Sequence, residues 1–341
     1  LYYQEDAGIF KQRTDLMQVF LYILGNNVVP IFTVIFLGFA LGRALKIDIF
    51  TLTKLNFYIY VPLFMFVNLY TTTIDLTLLK ALIFGFLYLF VNMLVGHLAA
   101  RLRGYDLGMT NAFKNAVMFY NSGNIGVPLI ALVFSSHPYI IDGQTPYLNL
   151  ALTTQVMILV VQNITTNTIG FFNAGRAYLD WKESLRKIML MPTVYVIPVA
   201  LVLKALPLDL TQAPFWPGLE FVSQGLISIA LLTLGVQLSR TAFNFKDRET
   251  YLAVAVRLIG GPIIAFFLIK VFGFTGITAQ ALMISSSVPT AVNSALIAVE
   301  FDNYPDFASQ AVMISTLLSA VSLVIVIYSA RLLFPVLNFY P

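Results

Sequence analysis

Charge is missing from this chain over runs as long as a bilayer is thick. No Lys, Arg, Asp or Glu occurs in residues 16–42, 55–74, 81–100, 115–141, 143–175, 188–203, 221–239, 271–299 or 307–330, and a tenth apolar run, 251–272, is interrupted by Arg257 and, near its end, by Lys270. An α-helix needs about 20 apolar residues to cross a hydrocarbon core, and most of these runs are that long. A soluble domain of 341 residues, 59% of them hydrophobic, has too little surface charge at 11% to stay in water. The alternating pattern of a membrane β-barrel is absent. Backbone groups in lipid must be bonded internally, so the expected fold is an all-α polytopic membrane protein with about ten transmembrane helices.

The chemistry open to such a chain is narrow. It has no cysteine, which removes disulfides, thiolate nucleophiles and cysteine metal sites. His97 and His137 are its only histidines and have no visible partners, so no metal site is expected. No nucleophile–base pair, metal motif or phosphate loop is visible, and the chain is read as neither an enzyme nor a cofactor protein. Its pI near 9.1 suits orientation in a membrane rather than nucleic-acid binding. Residues 1–15 carry charge on both sides of a short polar start and have no cleavage site, unlike a signal peptide.

Basic residues alternate between the faces. The loops after spans 1, 3, 5 and 7 hold Arg43, Lys46, Lys54; Arg101, Arg103, Lys114; Arg176, Lys182, Arg186, Lys187; and Arg240, Lys246, Arg248. The opposite face and both ends hold only Lys11, Arg13, Lys80, Lys204, Lys270 and Arg331. The positive-inside rule then makes the basic loops cytoplasmic and both termini non-cytoplasmic. The halves also resemble each other: Gly126-Val127-Pro128 lies over Ser287-Val288-Pro289, and 155-QVMI echoes 310-QAVMI. The expected organisation is a five-helix repeat over 1–175, a cytoplasmic linker over 176–187 and an inverted five-helix repeat over 188–341.

The stretch 119-FYNSGNIGVPLIALVF places Asn121, Ser122, Gly123, Asn124, Gly126 and Pro128 inside a membrane span. Proline removes a donor and clashes with the preceding turn, and glycine weakens the helix further. Freed backbone groups cost several kcal/mol each in lipid, so this span is expected to face the protein interior. The half-helices after breaks at Pro128 and Pro289 would present free N–H groups and positive dipole ends. Two such helices, spans 4 and 9, would cross near the midplane, where asparagine amides add hydrogen bonds without fixed charge. That combination suits a small carboxylate.

At these residues the chain resembles the auxin efflux carrier family, which includes plant auxin exporters and bacterial malate or malonate permeases. The resemblance rests on GFALGRALKI (38–47), the proline of FYIYVPLFMF (57–66), NSGNIGVP (121–128), LLTLGVQL (231–238) and VPTAVNSALIAVEF (288–301), spread over nearly the whole chain. It implies ten helices in two inverted repeats, a scaffold domain, a transport domain with crossed broken helices, a homodimer, and a fold similar to bile-acid symporters and sodium/proton antiporters. It places the substrate-binding asparagine on Asn121, the crossover prolines on Pro128 and Pro289, and further site positions on Asn293 and Glu300.

The remaining polar residues are weighed on position. Span 5 carries Thr153, Thr154, Gln155, Gln162, Asn163 and Asn167, amides and hydroxyls that either bond neighbouring helices or line a site. Gln155 and its repeat partner Gln310 are the better lining candidates, with Ser122, Asn124, Gly126 and Thr290 beside them. Span 5 has no acid, which argues against cation exchange. Glu300, 11 residues past Pro289 and roughly 16 Å along a helix, is expected near the outer surface as a structural or gating acid. Arg257 either snorkels to the cytoplasmic side, draws anions into the inward-facing cavity or pairs with an acid during the transport motion. Asp75 is either a helix cap or a vestibule contact. The functional expectation is a secondary transporter for a small organic anion, working by an elevator-like alternating-access motion. Its rivals are a sodium- or proton-coupled symporter, with Ser285–Ser287 and Thr290 as cation ligands, and a non-transporting sensor.

Overall fold

The computed structural model describes residues 17–73, 75–175, 189, 192–241 and 246–336. The expected linker at 176–187, the stretch 1–15 and the side chain of Asn167 lie outside the described residues. Within them the chain forms α1 (Met17–Ala44), α2 (Ile49–Thr71), α3 (Leu76–Leu102), α4 (Leu107–Met118), α5 (Ser122–Phe134), α6 (Leu148–Ala174), α7 (Pro192–Ala205), α8 (Trp216–Leu238), α9 (Arg248–Phe272), α10 (Gly276–Ser285), α11 (Val292–Glu300) and α12 (Pro305–Leu333). Seven of these, α1, α2, α3, α6, α8, α9 and α12, are long and apolar enough to cross a membrane. The chain is an all-helical polytopic membrane protein.

Aspartates start four of the helices. Asp48, Asp75, Asp106 and Asp247 each cap the helix that follows, taking backbone N–H groups of the first turn that have no partner within the helix. Prolines inside the helices are absorbed rather than obeyed as stops. Before Pro30, Pro62, Pro128 and Pro262 the helix widens by one π-turn, with Val29 N–H bonding Leu24 O, Val61 bonding Asn56, Val127 bonding Ser122 and Gly261 bonding Val256. The wider turn takes up the missing proline donor and relieves its clash with the turn before.

The helices pack as two groups. In the first, α1 lies along α8, and α2 packs on both α7 and α8. Glycine sets the α1–α8 approach: a side chain on Gly38 would strike the backbone of Leu232, and one on Gly235 the backbone of Ile35. The GFALG motif is therefore a small-residue seam that brings two backbones together. In the second group, α3 packs on α4, α6 and α9, while α10, α11 and α12 close against α6 and α9 or one another. The groups meet where α2 touches α6 and α8 touches α5.

Charge-free runs understated one helix. α4 starts at Leu107, so Lys114, read as a loop residue, sits inside a helix, with its ammonium 3.4 Å from Asn173 Oδ1. A lysine is tolerated there because a neighbouring amide accepts its charge.

Candidate functional site

Two helix breaks meet inside the second group. The links between α4 and α5 and between α10 and α11 lie antiparallel: Asn121 N–H donates to Pro289 O at 2.8 Å, and Ala291 N–H to Phe119 O at 2.9 Å, around the pair Tyr120 and Thr290. Helix ends in an apolar interior need partners for their last carbonyls. Here the second break supplies them to the first: Thr290 Oγ1 donates to Ala116 O at 2.9 Å, and Ser294 Oγ to Asn115 O at 3.1 Å.

The first break is not at its proline. Pro289 does lie in its link, but Pro128 falls within α5, seven residues after Asn121. The π-turn at 122–126 takes up the donor that Pro128 lacks, so the helix has no reason to end there. It ends instead at Phe119–Asn121, where the backbone is paired to the other link.

Arg257 completes the crossing. Its residue is fully buried, the only Lys, Arg, Asp or Glu in that state among the described residues. Its Nη1 donates to Val117 O at 3.2 Å, while Nη2 donates to Tyr88 Oη at 2.8 Å and to Ser286 O. The guanidinium lies 4.8 Å from the centre of the Tyr120 ring and 5.7 Å from that of Tyr88. It neither snorkels to the surface nor opens into the cavity. The reason is electrostatic: Val117 and Ser286 close α4 and α10, whose C-terminal ends are both negative, and a cation is best placed between them.

On the other side of the crossing, a partly open cavity lies between the two helix groups. One wall is Tyr120–Asn124 with Ala291–Asn293, the starts of α5 and α11; behind it stand Gln162, Asn163 and Thr166 of α6. The facing wall is Thr53, Asn56, Phe57 and Val61 of α2 with Thr233 and Gln237 of α8. No lining residue carries a charge.

Backbone partners orient the amides. Asn121 Oδ1 accepts the Asn124 N–H at 3.2 Å, and Gln162 Oε1 accepts the Tyr120 N–H at 3.3 Å. Their NH₂ ends, Asn121 Nδ2 and Gln162 Nε2, are buried and have no protein partner among the described residues. Two donors and two helix N-termini thus border one uncharged cavity. Its chemistry fits an acceptor-rich, negatively charged ligand.

Four of the expected site residues line this cavity: Asn121, Ser122, Asn124 and Asn293. Gly126, Pro128, Gln155, Pro289, Thr290 and Gln310 do not. Gln155 instead donates from Nε2 to Ser122 O at 2.7 Å and presses on Gly126, bracing the π-turn from behind. Thr290 spends its hydroxyl on Ala116, and Pro289 is held in the bridge. Gln310 is buried on α12. The lining amides of α6 are Gln162, two turns along the same stripe as Gln155, and Asn163. Asn56 and Gln237 were also overlooked; an amide within an otherwise apolar run was the available signal.

Asp75 caps α3, its carboxylate accepting the Leu78 N–H at 2.9 Å. Glu300 ends α11, exposed and away from the cavity. It does not face outward from the basic loops. The turn after it docks on α4, with Tyr304 Oη donating to Asp106, three residues from Arg103, which pairs with Glu249. α10 and α11 continue in one direction across the break, so α11 finishes at the end that carries Arg101 and Arg103.

Fold and site together describe a polytopic membrane protein with an uncharged polar cavity between two helix groups. The model of a family described as membrane transport protein matches residues 176–327. A protein of Methanothermobacter thermautotrophicus described as an uncharacterized transporter is 23% identical over 309 residues, covering 87% of this chain and 95% of its own. These matches make the chain similar to membrane transport proteins, in line with the motifs above, which resemble the auxin efflux carrier and malate/malonate permease type.

Proposed function

We propose that the protein is a secondary transporter for a small organic anion, a carboxylate, which binds in the cavity against Asn121, Gln162 and the starts of α5 and α11. The observation that carries this reading is the pair of unpartnered buried donors, Asn121 Nδ2 and Gln162 Nε2, beside two positive helix ends in a cavity without fixed charge. A carboxylate fills both donors and is held by dipoles rather than by an arginine, which favours release as well as binding.

The cavity lies between two helix groups, and that supports alternating access by an elevator-like slide of the crossing-bearing group against α1, α2, α7 and α8. The reading includes ten spans in two inverted repeats, cytoplasmic basic loops, non-cytoplasmic termini and a homodimer through the first group. With an inside-negative potential, export of a monoanion is downhill by about 2.3 kcal/mol per 100 mV. The test is solid-supported-membrane current from reconstituted protein with malate, malonate, lactate and indole-3-acetate, in choline and at equal pH. Current with at least one anion supports the reading. Silence that sodium or acid relieves would make it a coupled symporter, and binding without any current would make it a sensor.

A further inference from the structure

The position of Arg257 bears on coupling. A helix C-terminus is equivalent to about half a negative charge, so the two that meet at the crossing sum to roughly one. One guanidinium supplies one positive charge. It is held by carbonyls of both ends, Val117 O and Ser286 O, and by Tyr88 Oη, which itself donates to Ser286 O at 2.6 Å. It reaches them from α9, a helix that belongs to neither broken pair.

Of the hydroxyls that a free cation would use, those of Ser287 and Thr290 are turned to backbone carbonyls, while Ser285 Oγ and Ser286 Oγ are buried without a protein partner among the described residues. Ser287 Oγ donates to Met283 O at 2.6 Å, and Thr290 Oγ1 to Ala116 O at 2.9 Å. The Ser286 carbonyl holds two donors. A guanidinium is also part of the chain, so unlike a free ion it cannot leave with the substrate.

We propose that Arg257 is a built-in cation standing in the place of a coupling ion: it neutralises the C-terminal ends of α4 and α10 permanently, leaves the N-terminal ends of α5 and α11 positive toward the cavity, and so makes anion binding independent of sodium and of protons. This rests on the carboxylate-transport reading. Arg257 is a positioning residue; it does not touch the substrate.

The experiment compares wild type, Arg257→Ala and Arg257→Lys in the current assay, in sodium and in choline at fixed pH, with methylguanidinium as the rescuing probe. Wild-type currents are expected to be equal in the two salts. Arg257→Ala is expected to lose at least tenfold and to recover with methylguanidinium, which restores the missing group. Arg257→Lys, which keeps a charge, is expected to retain a reduced, sodium-independent current.

Sodium-dependent wild-type currents would overturn the proposal, as would full activity of Arg257→Ala without added cation, or loss in a folded Arg257→Ala that methylguanidinium leaves unrepaired. If Arg257→Ala does not fold, sodium dependence of Arg257→Lys overturns it and sodium independence upholds it. If wild type passes no anion at all, the transport reading fails by itself. Melting temperature then decides Arg257: stabilisation of wild type by sodium counts against the built-in cation, and selective stabilisation of Arg257→Ala by methylguanidinium counts for it.

Discussion

Replacing Asn121 by aspartate separates what this residue does for the helix from what it does for the ligand. The side-chain oxygen that accepts the Asn124 N–H survives the change, because aspartate caps a helix as well as asparagine. The NH₂ group, which is buried without a protein partner, does not survive. A hydrogen bond to a charged partner contributes about 1.5–3 kcal/mol, so its loss alone weakens anion binding by roughly ten- to a hundredfold. A carboxylate facing a carboxylate adds repulsion to that. Asn121→Ala loses the cap as well, at a further cost of about 1 kcal/mol in stability. The assay pairs half-saturating anion concentration in the current measurement with melting temperature in detergent. The expected pattern is Asn121→Asp with near-native melting and weak anion response, and Asn121→Ala impaired in both. An Asn121→Asp protein that responds like wild type would refute the claim that the amide NH₂ binds the anion. One that melts as early as Asn121→Ala would refute the capping argument.

Three further outcomes follow from other parts of the molecule. Gly38→Val drives a side chain into the Leu232 backbone and is expected to destabilise the protein by about 1–3 kcal/mol or more, read as a lowered melting temperature, while Gly25→Val, with open space around it, is expected to be milder. The Tyr304 hydroxyl, with the Met109 N–H, holds the Asp106 carboxyl below its ordinary 3.8. A carboxyl lowered in the fold stabilises above its unfolded pKa, and that contribution is lost as pH falls through the folded value; Asp106→Asn should therefore flatten the fall of melting temperature from about pH 5 downward. Because the chain has no cysteine, single exposed replacements report sidedness: Asp306→Cys is expected to react with a membrane-impermeant thiol reagent only from the cytoplasm and Gln144→Cys only from outside, and reversed labelling would invert the topology.

The seven long spans, the cap at Asp75 and the two interrupted helices were legible because each leaves a local mark: absence of charge, an aspartate before an apolar run, glycine and asparagine where lipid would forbid them. The exact break at Phe119–Asn121 was not legible. Proline marks a lost donor, but whether a helix ends or merely widens depends on what its freed carbonyls meet. At Pro128 a π-turn absorbs the loss, and the partners that end α4 lie on the other broken helix. Repeat symmetry favoured Gln155, as the partner of Gln310, over Gln162, which lines the cavity two turns away on the same face. Arg257 was misread for the same reason, since its acceptors lie 140 and 29 residues away and exist only once both helices have ended.

The cavity has two walls of different origin. One is the crossing, where backbone bonds and carbonyl contacts interlock so closely that few positions accept change. The other is six side chains of α2 and α8, of which Thr53, Asn56, Thr233 and Gln237 are polar, standing on helices that take no part in the crossing. Specificity can therefore be rewritten without touching the machinery. Relatives can diverge in cargo by drift on the facing wall alone, and a directed library confined to those four positions offers a route to new selectivity in an intact transporter.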